Sequence, residues 1–189
     1  LKNGVVLVRR RKGLAPRERT SNTCGVGGAG AFSDVKLNLT PRIGGDPEAI
    51  GCSVGELEDL IAYVDDTFTR YGAPAQYSGE DPEALAELKK AAAQAGVEFI
   101  AGRQRHIGTG RIREVIDAIY RDLAARGVEF QLGRAAEEIR HRGGRFTVVV
   151  EGKEIEARYV LAAPGRVGAY WLREVARSLG VGPSFGPLD

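Results

Sequence analysis

Residues 112–132, IREVIDAIYRDLAARGVEFQL, decide the fold class. Ile112, Val115, Ile116, Ile119, Tyr120 and Leu123 recur at the 3.6-residue period of a helix with one buried face, and Gly127 stands where such a helix stops. Residues 128–132 follow at once as a short apolar strand. Toward the C-terminus, residues 138–142, 145–150 and 154–158 read as strands separated by turns at Gly143-Gly144 and Gly152-Lys153, an antiparallel excursion. The run YVLAA at 159–163 then reads as a buried parallel strand ending at Pro164-Gly165.

Toward the N-terminus, GVVLV at 4–8 is a short continuous apolar run of the kind buried on both faces of a parallel sheet. A helix is expected from about Val54 to Tyr71, with Leu57, Leu60, Ile61, Val64, Phe68 and Tyr71 on one face, Gly72 as its stop, and Asp65 and Asp66 turned to water. A second helix starts at Asp81 with Pro82 in its first turn, carries Leu85 and Leu88 inward and ends at Gly96. Residues 97–100 read as a strand. The fold class that emerges is α/β, a parallel sheet interrupted by an antiparallel excursion and by a helical insertion over residues 46–110.

With 43% hydrophobic and 28% charged residues, the 189-residue chain has an ordinary globular composition. It contains no apolar run of membrane-spanning length, its N-terminus reverses the charge order of a secretory signal, and Cys24 and Cys52 lack disulfide or zinc spacing. These features read as a cytoplasmic protein. Residues 1–20 hold seven Lys or Arg against Glu18 alone, which leaves 20 basic and 24 acidic residues in the remainder. The cluster Arg9-Arg10-Arg11-Lys12 suits water, a cofactor phosphate or nucleic acid; the lack of interleaved aromatic residues argues against the last.

Chemistry is expected in CGVGGAGAFSDVKL at 24–37, where small residues leave backbone N–H groups uncovered for an anion. Gly25, Gly27 and Gly30 satisfy G-x-G-x-x-G, but the polar residues before them and the helix-poor LNLTPRIGG after them rule out a dinucleotide fingerprint. Ser33 can donate a hydroxyl hydrogen bond, Lys36 can neutralise a phosphate, and Asp34 can accept from a ribityl or flavin N–H; a tightly packed turn is the plainer reading. A second candidate is RQRHIGT at 103–109. There His106, flanked by arginines, would present a neutral imidazole, and Arg105 would clamp a substrate carboxylate, unless the segment is a solvated loop. His141 reads as exposed, and Tyr170 and Trp171 as packing residues. There is no nucleophile elbow, P-loop or H-E-x-x-H motif, and two isolated histidines make a poor metal site.

The order helix, strand, hairpin excursion, buried strand, small-residue loop, together with GGAGAFSD, RHIGTG, RGVEFQL and YVLAAPGR, resembles the FAD-dependent dehydrogenases of the uncharacterised NAD(P)/FAD-utilising type, within the two-dinucleotide-binding flavoprotein fold. The likeness covers nearly the whole chain. It implies a partial FAD-binding, Rossmann-like parallel sheet over residues 1–45 and 111–189, with residues 46–110 as a substrate lobe. It implies that Gly27, Gly28, Gly30, Ser33, Asp34 and Lys36 lie against the flavin and its pyrophosphate. Ala136 would sit near the adenine, and Ala163, Pro164 and Gly165 would cross over the cofactor. Arg105, His106 and Thr109 become the substrate candidates, a small molecule the substrate, and NAD(P)H a candidate electron donor. The first strand and Gly-rich turn of that fold are expected upstream of Leu1 and the flavin-closing segment downstream of Asp189, so the chain reads as an internal fragment lacking the G-x-G-x-x-G segment. Arg9 stands where the fold places a ribose-binding carboxylate, and Val35 where such sequences have Gly. The expected function is that of a flavin-dependent oxidoreductase or a segment of one. The alternative is a non-catalytic binding or assembly fragment that holds no flavin by itself and whose open sheet edge is covered by a missing segment or a second copy.

Overall fold

The computed structural model describes residues 5–8, 25–44, 46–48 and 50–182. The basic cluster at Arg9–Lys12 and Cys24 lie outside them. The described chain mixes helix and strand in the order β1 (Val5–Val8), a 3-10 turn (Gly28–Phe32), β2 (Lys36–Asn38), α1 (Val54–Arg70), α2 (Pro82–Gln94), β3 (Gln104–His106), α3 (Thr109–Ala125), β4 (Glu129–Leu132), β5 (Ala136–Arg142), β6 (Arg145–Val150), β7 (Lys153–Ala157), a second 3-10 turn (Arg166–Gly168) and α4 (Ala169–Ser178). It divides into two compact units, Gly30–Arg121 and the pair of segments Leu1–Ala29 with Asp122–Asp189.

In the unit Gly30–Arg121, α1 begins at a capping box. The Ser53 hydroxyl accepts from the Glu56 N–H while the Glu56 carboxylate accepts from the Ser53 N–H, so two otherwise unmade donors are satisfied. It ends where Gly72 adopts φ +101°, letting the Ala73 N–H donate back to the Phe68 carbonyl. Strands β2 and β3 pair antiparallel with Lys36 opposite His106, Leu37 opposite Arg105 and Asn38 opposite Gln104. Because side chains alternate across a strand, Leu37 and Arg105 face inward and the other four face out. Ala73, Ile107, Ile112 and Val115 form the core, joined by Val35, Leu37, Phe68, Tyr71, Ile116 and Ile119. Ile112 and Val115 are the face of α3 that the sequence period marks. Each such fully buried aliphatic contributes about 1.5–3 kcal/mol.

Helix α2 is capped by Asp81, whose side chain accepts from the Glu83 and Ala84 N–H groups. The inward placement expected for Leu88 is corrected: no residue of α2 is buried, and Leu88 is exposed. The strand expected at 97–100 is also absent. Val97 and Ile100 are exposed, and the strand forms instead at Gln104–His106, where Asn38 and its neighbours and Ser78 supply hydrogen-bonding partners.

The other unit holds β1 paired parallel to β4, with Val5 opposite Glu129 and Val8 opposite Leu132. It also holds the three-stranded antiparallel sheet β5-β6-β7. Gly143 and Gly144, at φ +57° and +75°, make the first hairpin turn. The second turn lies at Glu151-Gly152 rather than Gly152-Lys153, because Val150 pairs with Lys153 and leaves two residues for the loop, with Glu151 at φ +50°. One sheet face is covered by α4: Ile139, Val148, Val150 and Val175 are buried together, with Trp171 alongside donating its indole N–H to the Glu137 carbonyl at 3.1 Å. Tyr170, expected to pack, is exposed. The run at 159–163 is not a strand, since it pairs with no neighbour among the described residues, and Tyr159 and Leu161 face solvent. The parallel sheet among the described residues is therefore the pair β1–β4. No helix among them is long and apolar enough to cross a membrane.

Candidate functional site

The glycine-rich segment is a turn followed by a strand. Gly27 and Gly28 adopt φ +85° and +56°, and the Gly28 N–H donates to the Gly25 carbonyl. The helical turn there is the short 3-10 segment Gly28–Phe32, and the chain passes from it into β2 with no α-helix between, so the G-x-G-x-x-G spacing does not open a dinucleotide-binding helix. Gly30 is exposed. The Ser33 hydroxyl is spent locally: it donates to the Gly30 carbonyl at 3.2 Å and accepts from the Val35 N–H at 3.3 Å. Of the polar groups expected to meet an anion there, Lys36 is exposed on the outer face of β2 and forms no ion pair among the described residues.

Asp34, Lys36 and His106 are brought together. His106 Nε2 lies 2.7 Å from Asp34 Oδ1, with both side chains about half exposed. The Ile107 N–H donates to the Val35 carbonyl and the Gly108 N–H to the Asp34 carbonyl, which together with the pairing of Lys36 opposite His106 ties the two segments beside the pair. The hydrogen bond from His106 holds the Asp34 carboxyl below its ordinary range, with the charges of His106 and Lys36 acting in the same direction and desolvation opposing them. Val35, between Asp34 and Lys36, has φ +31°, which is strained for a β-branched residue. A carboxylate fixing Nε2 leaves Nδ1 of a neutral imidazole as the proton acceptor, so the pair can take a proton from, or return it to, a molecule lying on this face. Asn38 and Gln104 continue the polar face through a 2.7 Å amide hydrogen bond. Thr109, the first residue of α3, is exposed.

Arg105 has a different place from the one expected. It is 2% exposed, with its guanidinium engaged inside its unit. Its Nε donates to Asp65 Oδ1 at 2.5 Å, its Nη2 to Asp65 Oδ2 at 2.8 Å and its Nη1 to the Pro74 carbonyl. Tyr77 completes the cluster: its hydroxyl donates to Asp65 Oδ2 at 2.9 Å, and the guanidinium groups of Arg103 and Arg105 lie 4.5 and 4.2 Å from its ring centroid. The bond from Arg105 holds the Asp65 carboxyl low despite burial, and the bond to Asp65 raises Arg105. Asp65 is therefore buried, not turned to water. It sits at i+4 from Ile61 and i−3 from Phe68, inside the apolar stripe of α1, and a charge in that position is the sequence signal for a buried partner.

In the other unit, Ala136 opens β5 at an irregular register and packs on the Ile139 core. Ala163 is exposed, Pro164 half-buried, and Gly165 adopts φ +65° and ψ −171°, a region only glycine enters readily. An open concavity of about 580 Å³ lies between β4 and the β6–β7 hairpin, lined by Glu129, Gln131, Arg134, Lys153 and Glu154 among others. Neither Ala136 nor residues 163–165 line it. His141 is exposed and lies 4.5 Å from the Phe146 ring. No group of His, Cys, Asp and Glu among the described residues could hold a metal. No known family model matches the chain, and no curated protein matches it.

Proposed function

We propose that the chain is an FAD-dependent oxidoreductase of the dehydrogenase type, or a segment of one. The observation that carries this reading is topological. A parallel pair β1–β4, entered from α3, is followed by a three-stranded antiparallel excursion and then by a small-residue turn at Pro164-Gly165, the element order of the flavoproteins that the sequence resembles. On this reading Gly30, Asp34 and Lys36 are the flavin and pyrophosphate contacts offered by the unit Gly30–Arg121, Gly27, Gly28, Ala136 and residues 163–165 are the cofactor candidates of the other unit, and the parallel pair is the Rossmann-like core.

The side chains fit this cofactor in part. The Lys36 ammonium is open to a phosphate, whereas Ser33 and Arg105 are committed elsewhere. FAD, when bound, supplies the hydride acceptor. The Asp34–His106 pair would hold or move the proton that leaves a small-molecule substrate, and NAD(P)H is the candidate donor for the reverse direction. Titration of the chain with FAD, followed by quenching of flavin fluorescence and with riboflavin as a control, tests the proposal. Saturable binding of FAD that riboflavin does not share supports it, and a folded chain that binds neither overturns it.

The alternative, a binding or assembly module, is favoured by one specific observation: the exposed run at 159–163, which has no strand partner among the described residues.

A further inference from the structure

Among the described residues, 159–163 form a length of backbone with no hydrogen-bonding partner. Their burial alternates with the two-residue period of an extended chain. Val160 and Ala162 pack on the Ile139–Val150 core, while Tyr159 and Leu161 are 77% and 93% exposed. Among the described residues no hydrogen bond engages the N–H or C=O groups of these five residues. The run is nevertheless fixed at both ends. It leaves β7 through the single residue Arg158, and it is closed by the Gly165 turn, where the Gly168 N–H donates to the Gly165 carbonyl at 3.1 Å. Gly168 lies so close to Pro164 that a Cβ on it would come within 2.3 Å of the proline Cβ.

Charge narrows what could pair here. Arg158 and Arg166 bracket the run, both exposed and neither in an ion pair among the described residues; the Arg158 guanidinium rests 5.3 Å from the Tyr159 ring centroid. A second copy of this chain pairing edge to edge would set these arginines against their own counterparts, a like-charge contact that disfavours self-pairing. An extended segment with carboxylates at its ends has the opposite sign at both positions.

We infer that residues 159–163 are a docking edge for an extended segment of another polypeptide. That segment adds to the exposed backbone as a strand, lays alternate apolar side chains beside Tyr159 and Leu161, and places acidic residues against Arg158 and Arg166. The backbone hydrogen bonds supply affinity, the flanking charges supply selection, and the fixed ends of the run reduce the ordering cost of binding. The proposed edge takes a polypeptide, shares Ala163 with the proposed cofactor contacts, and does not rest on flavin binding.

The test uses the full chain and three fluorescent peptides read by anisotropy: EEVTVTVEE, its lysine-flanked counterpart KKVTVTVKK, and EEVTPTVEE, whose proline blocks strand pairing. The acidic peptide is expected to bind at least about tenfold more tightly than the other two. The double substitution Arg158→Glu with Arg166→Glu, both at exposed positions, is expected to reverse the order of the two flanked peptides. Amide exchange at residues 160–163 is expected to slow when the acidic peptide is added. Equal binding of all three peptides, or binding of none, overturns the inference. So does a chain that self-associates and becomes monomeric on Leu161→Asp, because the edge would then belong to a second copy.

Discussion

Replacing Asp65 by Asn keeps the shape of the side chain but strips the carboxylate that, among the described residues, pairs with the buried Arg105. Two hydrogen bonds from Arg105 and one from Tyr77 converge on that carboxylate, and both members of the ion pair are at most 6% exposed. Removing one partner of such a pair leaves a buried charge without compensation and costs about 3–5 kcal/mol. For a domain of about 60–100 residues each kcal/mol lowers the melting temperature by about 4–8 °C, so Asp65→Asn is expected to lower it by at least about 12 °C. Arg105→Met strands the carboxylate instead and has a comparable cost near neutral pH. The double variant loses both charges together, and its cost is expected to fall short of the sum of the single costs by about 2 kcal/mol. The assay is urea and thermal unfolding by far-UV circular dichroism. Trp171, the only tryptophan, reports separately on the other core through its fluorescence. The pH dependence has a definite sign. Asp65 is held below its ordinary value, so its contribution is complete above the unfolded value of about 3.9 and is lost as pH falls through the folded one. The wild type is therefore expected to lose more stability below about pH 4 than Asp65→Asn does. Single costs under about 1 kcal/mol, or strictly additive costs in the double variant, would refute the reading of this cluster as a desolvated ion pair.

Further outcomes follow from local geometry. Gly168→Ala places a Cβ 2.3 Å from that of Pro164 and is expected to destabilise its unit by about 1–3 kcal/mol, seen as an earlier Trp171 fluorescence transition. Val35→Ala and Val35→Gly both remove the packed side chain, but only glycine relieves φ +31°, so the glycine variant is expected to be the more stable of the two by about 1 kcal/mol in urea unfolding. The opposite order would mean that Val35 carries no strain. Lys36→Gln removes the open ammonium and is expected to weaken FAD binding about tenfold without shifting the melting temperature, as measured by fluorescence titration beside circular dichroism.

Helix placement was legible because it depends on neighbours in sequence. The α3 period and the stops at Gly72 and Gly127 are local signals. The hairpin strands were legible for the same reason, since Gly143-Gly144 fixes their register. The runs at 97–100 and 159–163 form no strand despite their apolar pattern, because an apolar run states only that it prefers burial, whereas a strand also needs a partner backbone. Ser78 and Asn38 supply that partner at Gln104, and nothing among the described residues supplies it at Leu161. The candidate site divides in the same way. Asp34 and Lys36 are close in sequence and were singled out together, but their union with His106 depends on the β2–β3 register. Arg105 looked like a ligand clamp because its partner, Asp65, lies 40 residues away, on a helix face where a carboxylate passes for a solvated charge.

The visible absorbance spectrum of the purified chain, taken before and after incubation with excess FAD and desalting, tests the central proposal most directly. A flavin spectrum that survives desalting at about one cofactor per chain is the predicted result. A chain that is folded by circular dichroism yet remains colourless after exposure to FAD would contradict it.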